Sequence, residues 1–246
     1  GVVYVGNKQE KEKIIMKNNT GSDLYKEFIQ SLGWDVDLAT HLGFLGGLDN
    51  SEALATGSCA PYYANPTTEV VFHVVTNMPT KENDSQQIHK KRHVGNDFVH
   101  IIWSEHDRDY RPWTIVSQFN NVHIVIYPMK DPFFRVQIFT KPDVALFGPL
   151  LDGMIVDKRS LGPLVRLTAI NANKAVRYAQ QGYKKPYPTR RDLLNEICER
   201  FKKQTNNEEF IRPLFFDQIG KLAVLSQSKD EPTPQDAQES SGTQSD

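Results

Sequence analysis

The chain has 246 residues, of which 39% are hydrophobic, 10% aromatic and 24% charged, and its formal net charge is -1. This composition is that of an ordinary folded protein, so it excludes a collagen-like, coiled-coil or largely disordered chain. Two cysteines cannot build a disulfide framework or a cysteine-based zinc site, and no apolar run reaches the length of a membrane-spanning helix.

The net charge hides a difference between the two ends of the chain. Residues 226–246 contain one lysine and five acidic residues, and the remaining residues 1–225 carry 28 basic and 25 acidic residues, a net charge of +3. The 226–246 segment also lacks aromatic residues and has Ala237 as its one apolar residue. We therefore predict a folded domain over 1–225 and a disordered acidic tail over 226–246. A charge of +3 does not indicate nucleic-acid binding.

The N-terminal sequence has neither a basic region nor the long apolar stretch of a signal peptide. It lacks an initiator methionine and begins directly with the apolar run Val2–Val5, which has the character of a buried strand. We interpret the chain as a piece of a longer intracellular protein and expect a cytoplasmic location.

The next predicted element is a helix that begins after Ser22, a typical N-cap residue. Leucine and aromatic residues follow at helical spacing as far as Gly33, where the helix is expected to end. Residues 34–61 are rich in Gly, Asp, Ser and Thr, which predicts a long loop with short pieces of ordered structure.

Strands and then helices are predicted in the rest of the chain. Tyr62 and Tyr63 are expected to pair across a turn with residues 69–76, and further strands are expected over 98–104, 122–127 and 133–140. One helix is expected from Pro163 to Gly182 and a second after Thr189, with Leu193, Leu194, Ile197 and Phe201 directed inward. This order predicts the α/β class (mixed α+β), with a central mixed β-sheet flanked by helices.

Several familiar catalytic motifs are missing from the sequence. It contains no phosphate-binding G-x-x-x-x-G-K-[S/T] loop, no G-x-G-x-x-G, no H-E-x-x-H and no G-x-S-x-G. His73, His100 and His123 lie in predicted strands, where a role in the core or on the sheet face is favoured. Cys59 has no accompanying catalytic motif, so we expect an inert thiol rather than a hydrolase. No cofactor and no metal are expected.

One segment departs from the apolar periodicity of the others. Residues 83–97 are compatible with a helix that Asn83 or Asp84 would cap and that Gly95 would end. The cations Lys90, Lys91 and Arg92 would lie in its last turn, where the helix dipole favours them. This helix would have almost no apolar face, which is unusual because most helix stability in proteins comes from packing.

Three polar side chains would lie together at the end of this helix. Residues three and four apart share a helix face, so Arg92, His93 and Asn96 would present a guanidinium, an imidazole and a carboxamide side by side. The residues alone leave two interpretations open. The helix is either a solvated connection, with Asn96 in a left-handed cap, or part of a functional site.

Residues 90–99 read Lys-Lys-Arg-His-Val-Gly-Asn-Asp-Phe-Val and resemble the K-R-H-x-G-N-D signature of the Rap-GAP-type GTPase-activating domain family. That family includes the Rap activators, tuberin and the RalGAP catalytic subunits. Residues 43–49 resemble its G-G-L-D loop, and residues 71–79 resemble its F-H-V-x-T-x-x-P strand and turn. The resemblance covers residues 2–201, and residues 31–38 and 102–110 look most like the RalGAP catalytic alpha subunit.

The resemblance implies a catalytic residue that acts on another protein. Members of this family insert an asparagine side chain, the asparagine thumb, into the nucleotide site of a small GTPase, and Asn96 has that position here. A carboxamide both donates and accepts hydrogen bonds, so it can orient the water that attacks the γ-phosphate. The resemblance also implies His93 and Arg92 as catalytic residues beside the thumb. The residues implied to bind the GTPase are Lys90, Lys91, Asp97 and His89.

The implied partner is a Ras-family small GTPase, with Ral expected first and Rap or Rheb next. That partner would hold the GTP and the magnesium ion. The RalGAP resemblance also implies a regulatory beta-type subunit that forms a heterodimer with this chain. The alternative is a GAP-like interaction module that binds a small GTPase or a partner subunit without stimulating hydrolysis.

Overall fold

The computed structural model describes residues 1–129, 133–202 and 206–215. The chain divides into two compact units, Gly1–Tyr183 and a second unit that begins at Lys184. The predicted tail over 226–246, and with it the boundary of the predicted 1–225 domain, lies outside the described residues and stays a prediction. Among the described helices, none combines the length and the apolar character that a bilayer-spanning segment needs.

The strands of the first unit form two sheets. In chain order they are β1 (Val2–Val5), β2 (Trp34–Asp37), β3 (Cys59–Asn65), β4 (Thr68–Val71), β5 (Val99–Ser104), β6 (Val122–Pro128), β7 (Phe133–Thr140) and β8 (Ile155–Asp157). The larger sheet has the order β1-β5-β6-β7-β8, in which β1, β5 and β6 are parallel and β7 and β8 run antiparallel to their neighbours. The smaller sheet is the antiparallel meander β2-β3-β4.

Helices pack on the larger sheet and confirm the predicted class, a mixed sheet with flanking helices. They are α1 (Glu12–Ile15), α2 (Asp23–Ser31), α3 (Ile88–Val94) and α4 (Lys158–Ala179), while α5 (Pro186–Arg200) and α6 (Asn207–Phe215) belong to the second unit. A short 3₁₀ helix covers Val75–Asn77.

Both faces of the larger sheet are buried, which explains why its central strands read as continuous apolar runs. On one face, α2 and α4 pack over Trp103 of β5, and Phe28 of α2 stacks on that indole with ring centroids 5.1 Å apart. On the other face, Ile102 packs with Ile15 at the end of α1 and Val94 at the end of α3. Helices α2 and α3 therefore lie on opposite faces of the sheet.

Local signals explain where α2 begins and ends. The Ser22 hydroxyl accepts a hydrogen bond from the backbone N–H of Tyr25 at 3.2 Å, as expected for an N-cap. Ser31 is the last residue of the helix, and Leu32 is its C-cap, directly before Gly33. A Cβ at Gly33 would lie 2.2 Å from the carbonyl oxygen of Tyr62, so glycine is needed for the close approach of the chain to β3.

Helix α4 begins five residues before the predicted start at Pro163. Asp157 is the N-cap, because its carboxylate accepts hydrogen bonds from the backbone N–H groups of Arg159 and Ser160. Pro163 consequently lies inside the helix rather than in its first turn.

Residues 34–61 were predicted as loop with short pieces of ordered structure, and the ordered pieces are β2 and the start of β3. Strand β2 is mostly exposed, so cross-strand pairing with β3 rather than burial defines it, and the apolar pattern gave no sign of it. In the second unit, Leu193, Leu194, Ile197 and Phe201 are 45 to 68% exposed rather than inward-facing. No residue of α5 is buried, so this helix contributes no core among the described residues.

Candidate functional site

Helix α3 is shorter than the sequence predicts and starts differently. Its N-cap is Gln87, which has a left-handed backbone (φ 52°) and makes no capping hydrogen bond with its side chain. The Asp84 carboxylate instead accepts a hydrogen bond from the His89 N–H in the first turn at 3.2 Å. The Gln87 side chain is fully buried, donates to the Lys81 carbonyl at 2.6 Å and accepts from the Lys81 N–H at 3.1 Å. A folded-back loop over residues 81–87 therefore fixes the start of α3 and places Asp84 beside its first turn.

Buried polar side chains hold α3 against the domain in place of an apolar face. Lys90 is 0% exposed, and its ammonium donates to the Asn18 carbonyl at 3.1 Å and to the Thr80 hydroxyl at 2.9 Å. Burial lowers the pKa of Lys90 to about 8. The prediction that Lys90 contacts a GTPase is wrong, because its charged end points into the domain.

Two other predicted GTPase-binding residues already have partners within the chain. The Lys91 ammonium lies 2.7 Å from a carboxylate oxygen of Glu12 and so links α3 to α1. In the His89 ring, Nδ1 lies 3.0 Å from the Asp84 carboxylate and Nε2 lies 2.6 Å from the Pro79 carbonyl oxygen. The His89 hydrogen bond holds the pKa of Asp84 below its usual value. Binding roles for Lys91 and His89 stay predictions.

Asn96 is exposed directly after the end of α3. Its side-chain amide donates to the Arg92 carbonyl at 2.6 Å, which leaves one N–H and the amide oxygen for another molecule. Neither Asn96 nor the preceding Gly95 has a positive φ, so the left-handed cap is not adopted. A Cβ at Gly95 would lie 2.6 Å from the Lys91 carbonyl, which explains a glycine before Asn96.

Asp97, the residue after Asn96, turns its carboxylate into the domain. One oxygen lies 2.9 Å from Nδ1 of His73. Burial alone would raise the pKa of Asp97, but the hydrogen bond from His73 acts in the opposite direction. Asp97 is therefore an internal anchor in this structure, and a contact with a GTPase stays a prediction.

His73 connects Asp97 to the loop that resembles the G-G-L-D motif. Its Nε2 lies 3.1 Å from the Gly46 carbonyl oxygen. The ring of His93, from α3, lies 5.7 Å from the His73 ring. Burial lowers the pKa of His93, and the nearby charges of His73 and Arg92 act in the same direction. Arg92 is exposed beside Asn96, whereas His93 is buried, so of these two predicted catalytic residues Arg92 is the accessible one.

The residue before Asn96 is also held in place. The Ser117 hydroxyl donates to the Gly95 carbonyl and accepts from the Phe119 N–H at 3.1 Å. One residue earlier, Nε2 of His100 lies 2.7 Å from the Val94 carbonyl. The backbone before Asn96 and the Asp97 side chain after it are thus bonded to other segments, while the Asn96 side chain is exposed.

His73 and Ser117 were not predicted to be part of this site. The predicted core role fits His100 and His123, which are fully buried in β5 and β6; His73 is also buried, but it follows β4 and contacts Asp97, the residue after Asn96. The signal available for His73 was its place in the F-H-V motif, whereas Ser117 lies in a loop with no motif. Cys59 is partly buried in β3, and burial raises the pKa of its thiol, which suits an inert cysteine.

The chain resembles GTPase-activating proteins in three comparisons. The family model described as Rap/ran-GAP matches residues 15–199. The chain is 45% identical over 214 residues to Ral GTPase-activating protein subunit alpha-1 of Homo sapiens, covering 87% of this chain and 10% of that protein. Against subunit alpha-2 of Mus musculus it is also 45% identical over 214 residues, covering 87% of this chain and 11% of that protein. It thus spans about a tenth of these relatives.

A solved structure shows the same relationship. The GAP domain of TSC2 superimposes with a TM-score of 0.66 and 36% sequence identity. The match covers 72% of this chain and 94% of that domain, so the likeness extends over nearly all of the solved domain.

Proposed function

The chain belongs to the Rap/ran-GAP family, and on that premise we propose that it accelerates GTP hydrolysis by a Ras-family small GTPase, with Asn96 as the asparagine thumb. The observation that supports this proposal most directly is the contrast at the end of α3. Lys90, His93 and Val94 are buried and hold the helix, while Asn96 is exposed at its end with part of its carboxamide unbonded.

A carboxamide in that position can act on the water that attacks the γ-phosphate. The amide oxygen can accept a hydrogen bond from the water and the N–H can donate to a neighbouring oxygen, so the side chain can fix the water in line with the phosphorus. Such positioning differs from an arginine finger, which places positive charge on the transition state. Arg92 is exposed close to Asn96 and can add a contact to the phosphates or to the GTPase surface.

The partner brings the groups that this sequence lacks. A small GTPase holds GTP and Mg²⁺ through its own phosphate-binding loop, which fits the absence of such a motif here. We expect Ral to be the preferred GTPase because the similar alpha subunits are named as Ral GTPase-activating proteins, with Rap or Rheb next. A regulatory beta-type subunit and a cytoplasmic location belong to the same proposal.

A panel assay tests the proposal. The purified chain is mixed with GTP-loaded Ral, Rap or Rheb, and single-turnover phosphate release is followed as the concentration of the chain is increased. We expect a saturable acceleration of hydrolysis, largest for Ral. Tight binding to a GTP-loaded partner without acceleration would instead favour the non-catalytic interaction module, and the absence of both effects with all three GTPases would refute the proposed function.

A further inference from the structure

We propose that His73 is a positioning residue for the asparagine thumb, an inference that rests on the proposed function. Its doubly protonated ring bridges the carboxylate of Asp97 and the carbonyl of Gly46, and we call these three residues the His73 bridge. The bridge holds the backbone next to Asn96 in the orientation from which the side chain reaches the GTPase.

The hydrogen-bond geometry defines what the ring donates. Nδ1 of His73 lies 2.9 and 3.1 Å from the two carboxylate oxygens of Asp97, and Nε2 lies 3.1 Å from the Gly46 carbonyl oxygen. An ionised carboxylate and a carbonyl oxygen accept hydrogen bonds and cannot donate them. A ring that carries a proton on each nitrogen can donate to both groups at once, and this is the state that the proposed bridge uses.

A second imidazole lies beside the bridge. The His93 ring lies 5.7 Å from the His73 ring, and burial lowers the pKa of His93. A lowered pKa favours the uncharged form of His93, which places no second positive charge next to the bridge.

The third member of the bridge depends on a glycine. Gly46 has φ +60°, and a Cβ there would lie 2.6 Å from Cγ1 of Val71 and 3.0 Å from Nε2 of His73. A larger residue would thus push the loop away from the ring and strain its backbone. The bridge connects three segments that are far apart in sequence, and the last of them continues directly from the thumb.

Positioning of this kind affects the rate more than the affinity. Asn96 is held on one side by Gly95, which accepts from Ser117, and on the other by Asp97, which His73 holds. A displacement of about 1 Å in a positioning group can cost on the order of 100-fold in rate. Loss of the bridge would leave most of the contact surface unchanged, so we expect a lower rate at saturation with little change in the half-saturating concentration of the chain.

Conservative variants separate positioning from simple stability. In asparagine, the side-chain amide nitrogen is separated from Cα by the same number of bonds as Nδ1 is in histidine. In glutamine, the amide nitrogen is separated from Cα by the same number of bonds as Nε2 is in histidine. His73→Asn therefore keeps a donor toward Asp97, His73→Gln keeps one toward Gly46, and His73→Ala keeps neither. His106→Ala is the matched control. The His106 side chain is also largely buried and lies 2.7 Å from the Asp107 carboxylate. His106 follows the C-terminal end of β5, whereas Asn96 precedes its N-terminal end.

The test measures single-turnover hydrolysis by the GTPase that responds best in the panel, with the thermal unfolding midpoint of each variant as a check on folding. We expect His73→Ala to lower the saturating rate at least 10-fold with a half-saturating concentration within about twofold of the unaltered chain. His73→Asn should recover most of the rate, His73→Gln less, and His106→Ala should keep the full rate. If His73→Ala does not fold, the comparison of His73→Asn with His73→Gln decides.

A double variant identifies the route of the effect. If His73 acts through Asp97, His73→Ala combined with Asp97→Asn should lose no more rate than the more damaging single variant. Full activity of His73→Ala, equal rates for His73→Asn and His73→Gln, or a change confined to the half-saturating concentration would each overturn the bridge while leaving the GTPase-activating function intact. If the unaltered chain accelerates hydrolysis by none of the three GTPases, the proposed function itself is refuted, and the proposed role of the His73 bridge is refuted with it.

Discussion

Individual side chains of α3 have two different tasks, and their burial distinguishes them. Lys90 and His93 are polar but buried, and the Lys90 ammonium finds oxygen acceptors inside the domain. A buried charge without such partners would be strongly destabilising, so these contacts allow a helix with little apolar surface to pack. Arg92 and Asn96 are exposed and remain available to a partner.

Neighbouring lysines should therefore differ in their effect on stability. We expect Lys90→Ala to lower the free energy of unfolding by about 2 to 4 kcal/mol, because it leaves a cavity and two acceptors without a donor. Lys91→Ala should cost less than about 1 kcal/mol, because its ion pair with Glu12 is partly exposed and screened by solvent. Urea unfolding of the two variants measures the difference. Equal losses would contradict the assignment of Lys90 as an internal residue.

At the scale of elements, the end of α3 is joined to β5 and β6 by a buried polar network. His100 donates from Nε2 to the Val94 carbonyl at 2.7 Å, so its Nδ1 accepts from the Asn120 amide at 3.0 Å. The second N–H of the same amide points to Nε2 of His123. Each ring accepts a hydrogen bond with one nitrogen, and both histidines are therefore neutral in the folded protein.

This network makes stability depend on pH. Burial lowers the pKa of His100 to about 3 and that of His123 to about 4, whereas in the unfolded chain both rings titrate near 6.5. Below about pH 6.5 the unfolded state binds protons that the folded state does not, so stability falls as the pH decreases toward 4. The loss at pH 5 is on the order of 2 kcal/mol for each ring.

Urea unfolding at pH 7 and pH 5 tests this dependence. The unaltered chain should be less stable at pH 5, and His123→Gln should show a smaller difference between the two pH values because one of the two rings no longer titrates. Asp97 does not interfere, since its lowered pKa lies below this range and its contribution to stability is lost only in stronger acid. An equal pH difference for His123→Gln and for the unaltered chain would contradict a neutral buried His123.

At the scale of the whole molecule, the sequence predicted the elements whose signals are local. The apolar run of β1, the Ser22 cap of α2 and the strands β5 to β7 are found close to where periodicity placed them. The start of α3 was not predictable in this way, because the fold of residues 81–87 around Gln87 sets it. The polar residues of α3 showed that the helix was unusual but not which of them were buried.

Charge was a poorer guide to the site than the motif. The cluster from Lys90 to Arg92 concentrates positive charge in a body of net charge +3, and Lys90 and Lys91 were expected to bind a GTPase. In the structure, Lys90 is buried and Lys91 is paired with Glu12, which leaves Arg92 as the exposed cation of that cluster. Charge counted along the sequence does not distinguish a surface from an internal ion pair, whereas the K-R-H-x-G-N-D resemblance pointed directly to Asn96.

The central claim is that Asn96 acts on the bound nucleotide of a small GTPase, and one measurement tests it most directly. Single-turnover GTP hydrolysis by Ral is compared for the unaltered chain, Asn96→Ala and Gln30→Ala. Gln30 is the matched control, an exposed carboxamide on α2 at the opposite face of the larger sheet. Asn96→Ala should lower the saturating rate by roughly 100-fold or more, as for the loss of other transition-state contacts, with an unchanged unfolding midpoint. Gln30→Ala should keep the full rate. A fully active Asn96→Ala would contradict the account.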